Sequence, residues 1–320
     1  MIDSNPPASP HNFIGIEPLS SEQLHNLLAL AKELAECKNI EIYGKRLADK
    51  SIVTLFYEPS TRTRSSFTLA AYRLGANTLD LVPSNSALEK GENLLDTFMS
   101  LQAMNPDLFV VRHSGNDVIK QLVEQLYLPL VNAGDGTNEH PSQTLLDLLT
   151  ILLHKGDAGD ISKLKIALVG DLAHSRVARS FIYAMDKIPC AELRLIGPAE
   201  LLADDFPVAS NNSNIIIERD MDKGLEGVDL VMMLRIQRER IAEAKQQGGI
   251  LANPDDYFSL YGLSPERLEL AAPDALVMHP GPVNRGVEIS SEVVDGPRSL
   301  ILKQIEYGVY VRMAIFLSLL

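Results

Sequence analysis

The feature of this sequence that most constrains its fold is an alternation that runs along most of the chain. Short β-branched or apolar runs take turns with longer stretches in which apolar residues recur at spacings of three and four. Such alternation is typical of βαβ units and of a parallel sheet. We therefore predict an α/β fold with two doubly wound parallel-sheet domains joined by two crossing helices.

Two series of runs predict the two sheets. The first series gives strands at residues 52–56, 79–82, 108–112 and 130–133, and the second gives strands at 165–170, 193–196, 215–218, 229–234 and 276–279. The apolar helices predicted at 143–154 and 298–320 are expected to cross between the domains. The predicted domains are therefore 1–142 plus 298–320, and 143–297.

Composition narrows the class of protein. The 320 residues are enough for two buried cores, and the formal net charge of −13 argues against a nucleic-acid partner. The two cysteines, Cys37 and Cys190, are isolated, so no disulfide framework or metal-binding pair is predicted. No signal peptide is recognised, and no apolar run approaches the roughly 20 residues of a membrane span. We expect a soluble cytoplasmic protein that uses neither a metal nor a cofactor.

The turn after the first predicted strand carries the strongest binding signal. Ser60, Thr61, Arg62 and Thr63 open a helical pattern that Gly75 closes. A helix N-terminus attracts phosphate through its unpaired N–H groups and dipole, and hydroxyls and a guanidinium strengthen that attraction. The alternative is a hydroxyl cap followed by solvated arginines, but a cap alone does not need the whole run. The pattern favours an anion site.

Later strand ends add polar groups to the first domain. Arg112 closes the third predicted strand, whereas His140 and Gln143 lie at the start of the helix after the fourth. A neutral histidine can donate a hydrogen bond to a developing oxyanion, and a glutamine can hold an amide. Taken alone, His140 or Ser142 is equally well explained as a helix cap.

The second domain also presents cations at strand ends. Arg176 opens the helix after strand 165–170, where the glycine fingerprint of a dinucleotide site is incomplete. Arg235 follows strand 229–234 and begins a cationic cluster, for which a solvated helix is the alternative. Pro280, Gly281 and Pro282 form a rigid loop after the last strand, and its carbonyls can face a ligand. The common theme is an anionic ligand.

Six motifs in this order resemble those of the aspartate/ornithine carbamoyltransferase family, and most closely its aspartate carbamoyltransferase catalytic chains. They are STRTR, VVRH, HPSQTLLDL, VGDLxxSRVA, RxQxER and HPGPVNRGVEI. The resemblance covers essentially all of the chain after the first dozen residues. It implies transfer of the carbamoyl group of carbamoyl phosphate to L-aspartate, in de novo pyrimidine biosynthesis.

The resemblance also implies residue roles. Phosphate would be bound by Ser60, Thr61, Arg62 and Thr63. The carbamoyl oxygen would be surrounded by Thr63, Arg112 and His140, and its amino group would be held by Gln143. The substrate amine would be oriented by the carbonyls of Pro280 and Gly281, and the aspartate carboxylates would be bound by Lys90, Arg176, Arg235 and Gln237.

The resemblance also implies a homotrimer, because of the residues in one loop. Ser86 and Lys90 match family residues that enter the active site of the neighbouring subunit, with Ser84 as a competing register for Ser86. That match implies shared active sites. The sequence leaves open whether trimers associate with regulatory chains or with another enzyme of the pathway.

Three rival interpretations can be compared with this one. An ornithine carbamoyltransferase is expected to carry a cysteine in the last loop, where this chain has His279-Pro280-Gly281-Pro282, and acidic acceptor ligands where Arg235 and Gln237 stand. A silent anion-binding subunit on the same fold is disfavoured because every recognised motif position is filled. A nicotinamide dehydrogenase lacks its glycine fingerprint.

Overall fold

The computed structural model describes residues 12–37, 40–81, 93–155, 161–202, 214–236 and 254–320. The chain divides into two units, one formed by 1–142 and 308–320 and the other by 143–307. The predicted domain limits, 1–142 plus 298–320 and 143–297, concern ligand-binding domains and stay a prediction. None of the described helices has the length and apolarity that crossing a membrane would require.

The first unit contains a parallel sheet with strand order β2-β1-β3-β4. The strands are β1 (Ser51–Phe56), β2 (Asn77–Leu81), β3 (Leu108–His113) and β4 (Leu130–Asp135). The helices are α1 (Ser21–Glu36), α2 (Thr61–Arg73), α3 (Leu94–Gln102) and α4 (Val118–Gln125), with a short 3-10 helix at Ile40–Tyr43. All four predicted strands are confirmed to within a few residues at each end.

Hydrophobic periodicity explains how these helices pack. The apolar stripe of α1 is buried throughout, and it consists of Leu24, Leu27, Leu28, Ala31 and Leu34. In α3 only Phe98 is fully buried among the apolar stripe residues, while Leu94, Leu95 and Leu101 pack partly buried against the same core. Burial of such stripes is the main driving force for holding helices against the sheet.

The second unit contains a parallel sheet with strand order β7-β6-β5-β8-β9. The strands are β5 (Lys165–Val169), β6 (Glu192–Ile196), β7 (Ile215–Glu218), β8 (Leu230–Met233) and β9 (Leu276–Met278). The shorter helices are α6 (Arg176–Met185), α7 (Met221–Leu225), α8 (Pro254–Tyr261), α9 (Pro265–Leu268) and α10 (Ser291–Val294), with a 3-10 helix at Ala199–Leu201. The five predicted strands of this series are confirmed.

Two long helices belong to both units. One is α5 (Pro141–Lys155), divided between Ser142 and Gln143, and the other is α11 (Ile301–Leu319), divided between Tyr307 and Gly308. These are the two connecting helices that the sequence predicts. The second begins at Ile301 rather than at Arg298, because Val277 of β9 donates its N–H to the Arg298 carbonyl and accepts from Leu300. The chain before α11 is therefore held as an extended segment beside β9.

Both strand orders contain a point at which the winding reverses. In the first sheet it lies between β1 and β3, and in the second it lies between β5 and β8. Ligands of open parallel sheets bind outside the carboxyl ends of the strands at such points. Of the predicted residues, Arg112 lies at the end of β3, and Ser60–Thr63, Arg176 and Arg235 follow β1, β5 and β8. The other described ones follow β4 and β9.

Candidate functional site

The N-terminus of α2 follows directly from the end of β1. Ser60 occupies the N-cap position, and its carbonyl accepts the first helical hydrogen bond from Arg64 N–H at 3.1 Å, but its hydroxyl makes no capping hydrogen bond. Thr61 and Arg62 are exposed, whereas Thr63 is buried. The first turn of a 13-residue helix therefore presents N–H groups and hydroxyls whose geometry suits an anion.

Strand pairing brings Arg112 to this turn. In the parallel register Arg112 stands opposite Phe56, and the Arg112 carbonyl accepts the N–H of Tyr57 at 2.9 Å. The side chain is 8% exposed, and its Nη1 donates to the Ala133 carbonyl at 3.2 Å. The structure thus brings the predicted residues Ser60–Thr63 and Arg112 to adjacent strand ends.

Glu58 is a residue that the sequence interpretation missed. Its Oε1 pairs with Arg112 Nη2 at 3.1 Å, and the carboxylate is about one-third exposed, with a side-chain value of 32%. Because cations are the expected ligands of an anion, an acidic residue in the same turn was not singled out. The available signal was its position two residues after β1, since the neighbouring strand β3 carries Arg112 next to its last residue. A buried guanidinium needs such a partner, because an uncompensated buried charge is costly.

The loop after β4 delivers His140 through a network of short side chains. Asn132 Oδ1 accepts the N–H of Gly134 at 2.7 Å, and Asn132 Nδ2 donates to Asp135 Oδ1 at 2.8 Å. Asp135 Oδ1 also accepts the N–H of Glu139 at 3.1 Å. These bonds close the turn directly before the buried His140 and α5. They show how a sharp, polar loop can hold a histidine at a helix start.

His113 lies beside Arg112 but has a different setting. Its Nδ1 accepts the N–H of Gly115 at 2.8 Å, and its ring packs 5.4 Å from that of Tyr57, measured between centroids. Burial lowers the pKa of the His113 imidazole below its ordinary value. The neutral form is therefore favoured in the folded protein.

In the second unit, Arg176 and Arg235 lie at the ends of neighbouring strands. Arg176 is the first residue of α6, whose N-cap hydroxyl, that of Ser175, accepts from Ala178 N–H at 3.1 Å. Arg235 follows β8 and is partly exposed. Gly170, with a φ of +128°, lets the two strand ends approach, since a Cβ there would lie 2.8 Å from the Leu234 carbonyl oxygen. The glycine is thus required both by conformation and by space.

The loop after β9 is folded around its own side chains. His279 Nδ1 accepts the N–H of Gly281 at 2.7 Å, and Gly281 has a φ of +64° and precedes a cis peptide bond to Pro282. Asn284 Nδ2 donates to the Ile236 carbonyl at 3.2 Å, which ties this loop to the segment after β8. Pro280 and Gly281 are both partly exposed. The loop is therefore a shaped backbone feature, as the prolines predict.

Gln143 is buried in the first turns of α5, with 8% exposure, and its Nε2 donates to Asp147 Oδ1 at 2.9 Å. Asp147 itself was not predicted as a site residue. The predicted residues Ser86, Lys90 and Gln237 lie outside the described residues. The ligand roles of all the predicted site residues stay predictions, whereas their positions at strand ends and helix starts are as described above.

Comparisons with known proteins agree over the whole chain. Residues 11–152 match the family model for the carbamoyl-phosphate-binding domain of aspartate/ornithine carbamoyltransferases, and residues 162–319 match the model for the Asp/Orn-binding domain. The aspartate carbamoyltransferase catalytic subunit of Beijerinckia indica subsp. indica is 47% identical over 318 residues, covering 99% of this chain and 96% of that protein.

Solved structures give the same result. Aspartate transcarbamoylase from Trypanosoma cruzi, in complex with carbamoyl aspartate and phosphate, is 30% identical with a TM-score of 0.85 over 100% of both chains. Ornithine carbamoyltransferase from Thermus thermophilus, at 24% identity and a TM-score of 0.83 over 98% of this chain and 100% of that chain, shares the fold. The matched domains and the identity over nearly the full length confirm the resemblance seen in the motifs: the chain belongs to the aspartate/ornithine carbamoyltransferase family.

Proposed function

We propose that this chain is the catalytic chain of an aspartate carbamoyltransferase, which transfers the carbamoyl group of carbamoyl phosphate to the amino group of L-aspartate. The products are N-carbamoyl-L-aspartate and phosphate. The observation that carries the proposal is the 47% identity, over 99% of the chain, to a catalytic subunit of that name. The juxtaposition of the α2 N-terminus with Arg112 supports its phosphate half.

Alignment and charge stabilisation account for the chemistry. The uncharged amine of aspartate attacks the carbamoyl carbon, a new C–N bond forms, and the bond from that carbon to the phosphate oxygen breaks. The departing phosphate takes the proton that the amine loses, so no covalent intermediate with the protein is needed. Preorganised donors aimed at the carbonyl oxygen stabilise the charge that develops on it. Thr63, Arg112 and His140 supply those donors, while Ser60, Thr61 and Arg62 bind the phosphate.

The acceptor half of the site selects a dicarboxylate. Arg176 and Arg235 bind the carboxylates of aspartate together with Gln237 and Lys90, because a guanidinium matches a carboxylate through two parallel hydrogen bonds. The carbonyls of Pro280 and Gly281 orient the attacking amine. An ornithine side chain, which is cationic, would meet repulsion at these arginines.

The proposal extends to assembly and cellular role. In this proposal the loop that contains Ser86 and Lys90 enters the site of a neighbouring subunit, and the working protein is a homotrimer. Its proposed location is the cytoplasm. The product places it in de novo pyrimidine biosynthesis.

A substrate panel tests the reaction. Purified protein is incubated with carbamoyl phosphate and either aspartate or ornithine, and ureido product and phosphate are measured together. We expect carbamoyl aspartate and phosphate in equal amounts, with no citrulline. Citrulline without carbamoyl aspartate would overturn the choice of acceptor, and absence of both products would favour a silent anion-binding subunit.

A further inference from the structure

We propose that Asp147 and Gln304 are positioning residues, which act through a buried chain of hydrogen bonds to orient both Gln143 and the loop at 279–281. In this arrangement, Gln143 and the loop each present oxygen acceptors to a substrate amino group. The inference rests on the proposed function and concerns residues of the second unit only.

Asp147 fixes the orientation of two amides. Its side chain is fully buried, one helical turn after Gln143, and Oδ1 accepts from Gln143 Nε2 at 2.9 Å and from Gln304 Nε2 at 2.7 Å. A carboxyl oxygen that accepts from both neighbours needs a donor from each, so each glutamine turns its NH2 group toward it. Amide orientation is decided by such networks. Within the described residues Gln143 Oε1 accepts no hydrogen bond, which suits it to the carbamoyl amino group.

Gln304 connects Asp147 to the loop after β9 through one hydrogen bond to each. Its Oε1 accepts the backbone N–H of His279 at 2.9 Å, while its Nε2 is held by Asp147. Gln304 lies on α11 and Asp147 on α5, 157 positions apart in the chain. A flipped Gln304 amide would lose both bonds. Its NH2 group would face the N–H of His279, and its oxygen would face the carboxyl oxygen of Asp147. The Gln304 amide is therefore held in one orientation.

His279 carries the constraint into the loop itself. Because Nδ1 accepts from the N–H of Gly281 at 2.7 Å, the ring proton belongs on Nε2, which then donates to Glu288 Oε1 at 3.1 Å. Glu288 Oε1 also accepts the N–H of Asn284 at 2.6 Å, and the side chains of His279 and Glu288 are both 0% exposed. The backbone N–H groups of His279, Gly281 and Asn284 are thereby all bonded to side chains of the protein.

The consequence is a single rigid unit of buried polar groups. Hydrogen bonds in a low-dielectric interior reinforce one another and so favour one arrangement of the groups that they join. A displacement of about 1 Å in a positioning group can lower a rate by about 10²-fold. Asp147 and Gln304 touch no reacting atom in this scheme; they act through Gln143 and through the carbonyls at 280–281.

Gln304→Glu separates the two branches of the network. The new carboxylate can still accept the N–H of His279, but its other oxygen faces Asp147 and repels it. We expect the KM for carbamoyl phosphate to rise about tenfold or more, because Gln143 loses its fixed orientation. The KM for aspartate should change by less than about threefold, because the His279 branch is retained. A generally damaged fold would raise both constants.

The double variant Asp147→Asn with Gln304→Glu relieves the repulsion but inverts the Gln143 amide. Asp147 Oδ1 accepts from both glutamines, so an asparagine NH2 that donates to the new carboxylate from that position also faces Gln143, whose oxygen must then turn toward it. We expect the KM for carbamoyl phosphate to stay about tenfold or more above that of the unaltered protein.

Gln102→Glu is the matched control for these variants. Gln102 and Gln304 are each 2% exposed, and the side chain of Gln102 bonds only Tyr127 and Met99 among the described residues. The same change of amide to carboxylate is therefore made at an equally buried position outside the network. The two KM values of this control should stay unchanged.

Three results would overturn the proposal: a folded Gln304→Glu variant with a normal KM for carbamoyl phosphate, equal rises in both KM values, or a double variant whose KM for carbamoyl phosphate returns to normal. If Gln304→Glu does not fold, Asp147→Ala carries the test, because it removes the acceptor without adding charge. A normal KM for carbamoyl phosphate in that variant would also overturn it. Failure of the proposed function is recognised separately, because the unaltered protein would then form no carbamoyl aspartate.

Discussion

Arg62 and Arg64 stand two positions apart at the start of α2 but have different surroundings. Arg64 Nε lies 3.4 Å from Asp80 Oδ2, so its charge is partly answered by the neighbouring strand β2. Arg62 is exposed in the first turn, beside the hydroxyls of the predicted phosphate site. Two residues of one type in one turn therefore allow a comparison in which length and charge are the same.

Arg62→Ala is expected to lower kcat by about 10²-fold, because it removes a preorganised cation from the departing phosphate. Arg64→Ala removes an exposed ion pair of small energetic value, on the order of 0–1 kcal/mol, and should leave kcat within about twofold. Steady-state kinetics with saturating aspartate checks both variants. A near-normal kcat for Arg62→Ala would contradict the phosphate role.

His113 predicts a pH dependence of stability. Burial lowers its pKa in the folded protein, so the unfolded chain, with a pKa of about 6.5, binds the proton more readily. The free energy of unfolding should therefore fall as pH drops below about 6.5, until the folded-state pKa is passed. His113→Asn keeps an acceptor for the Gly115 N–H and should show a smaller fall. Urea unfolding of both proteins at mildly acidic and at neutral pH measures this. An equal fall in the free energy of unfolding for the two proteins would contradict the prediction.

At the scale of elements, α2 and α6 are both helices that follow an inner strand of a sheet, and both begin after a serine N-cap. The hydroxyl of Ser175 completes a capping hydrogen bond, whereas that of Ser60 does not. A helix whose N-cap hydroxyl makes no capping hydrogen bond lacks the stabilisation that such a bond ordinarily provides. Such a departure from local preference is expected where a residue serves a ligand.

Ser60→Ala and Ser175→Ala should therefore have different effects. Ser175→Ala is expected to lower the free energy of unfolding by about 1 kcal/mol, since it removes a cap. Ser60→Ala should cost less than about half of that, yet raise the KM for carbamoyl phosphate. Urea unfolding and steady-state kinetics on both variants check this. A larger stability loss at Ser60 than at Ser175 would contradict the interpretation.

The elements also show why sequence reasoning succeeded in part. Strands such as Lys165–Val169 are predictable because a β-branched or apolar run and its following turn are local signals. Glu58 was missed because its partner, Arg112, lies 54 positions away and only the β1–β3 pairing joins them. The bond between Gln304 and Asp147 spans 157 positions and has no local signature at all. Contacts of this kind depend on topology rather than on composition.

At the scale of the whole molecule, the negative net charge opposes the binding of anions, whereas the topology of the sheets favours it. The chain carries 42 acidic and 29 lysine or arginine residues, yet both proposed substrates are anions. Parallel winding favours anion binding locally, since it places Arg112 at a strand end in one unit and Arg176 and Arg235 after the adjacent strands β5 and β8 in the other. The first turn of α2 adds its dipole to the same edge as Arg112.

A hybrid experiment tests the proposed trimer. Arg62→Ala and Lys90→Ala chains are each expected to be weakly active, because each site would need Arg62 from one subunit and Lys90 from its neighbour. Chains mixed after dissociation should regain activity well above the mean of the two parents. The mixed species should elute at about three times the 35.2 kDa of one chain. Mixed trimers with no gain in activity would contradict shared sites.

The pairing of Glu58 with Arg112 has a consequence for turnover. An anion that reaches Arg112 Nη2 does not meet a bare cation; it exchanges places with a carboxylate already 3.1 Å away. Binding is then a substitution, and its free energy is the difference between two ion pairs rather than the whole of one. In the proposed reaction, the same carboxylate would pair with the guanidinium again after the product leaves. Under the proposed function, a competitor of this kind would weaken product retention and keep the arginine aligned between catalytic cycles.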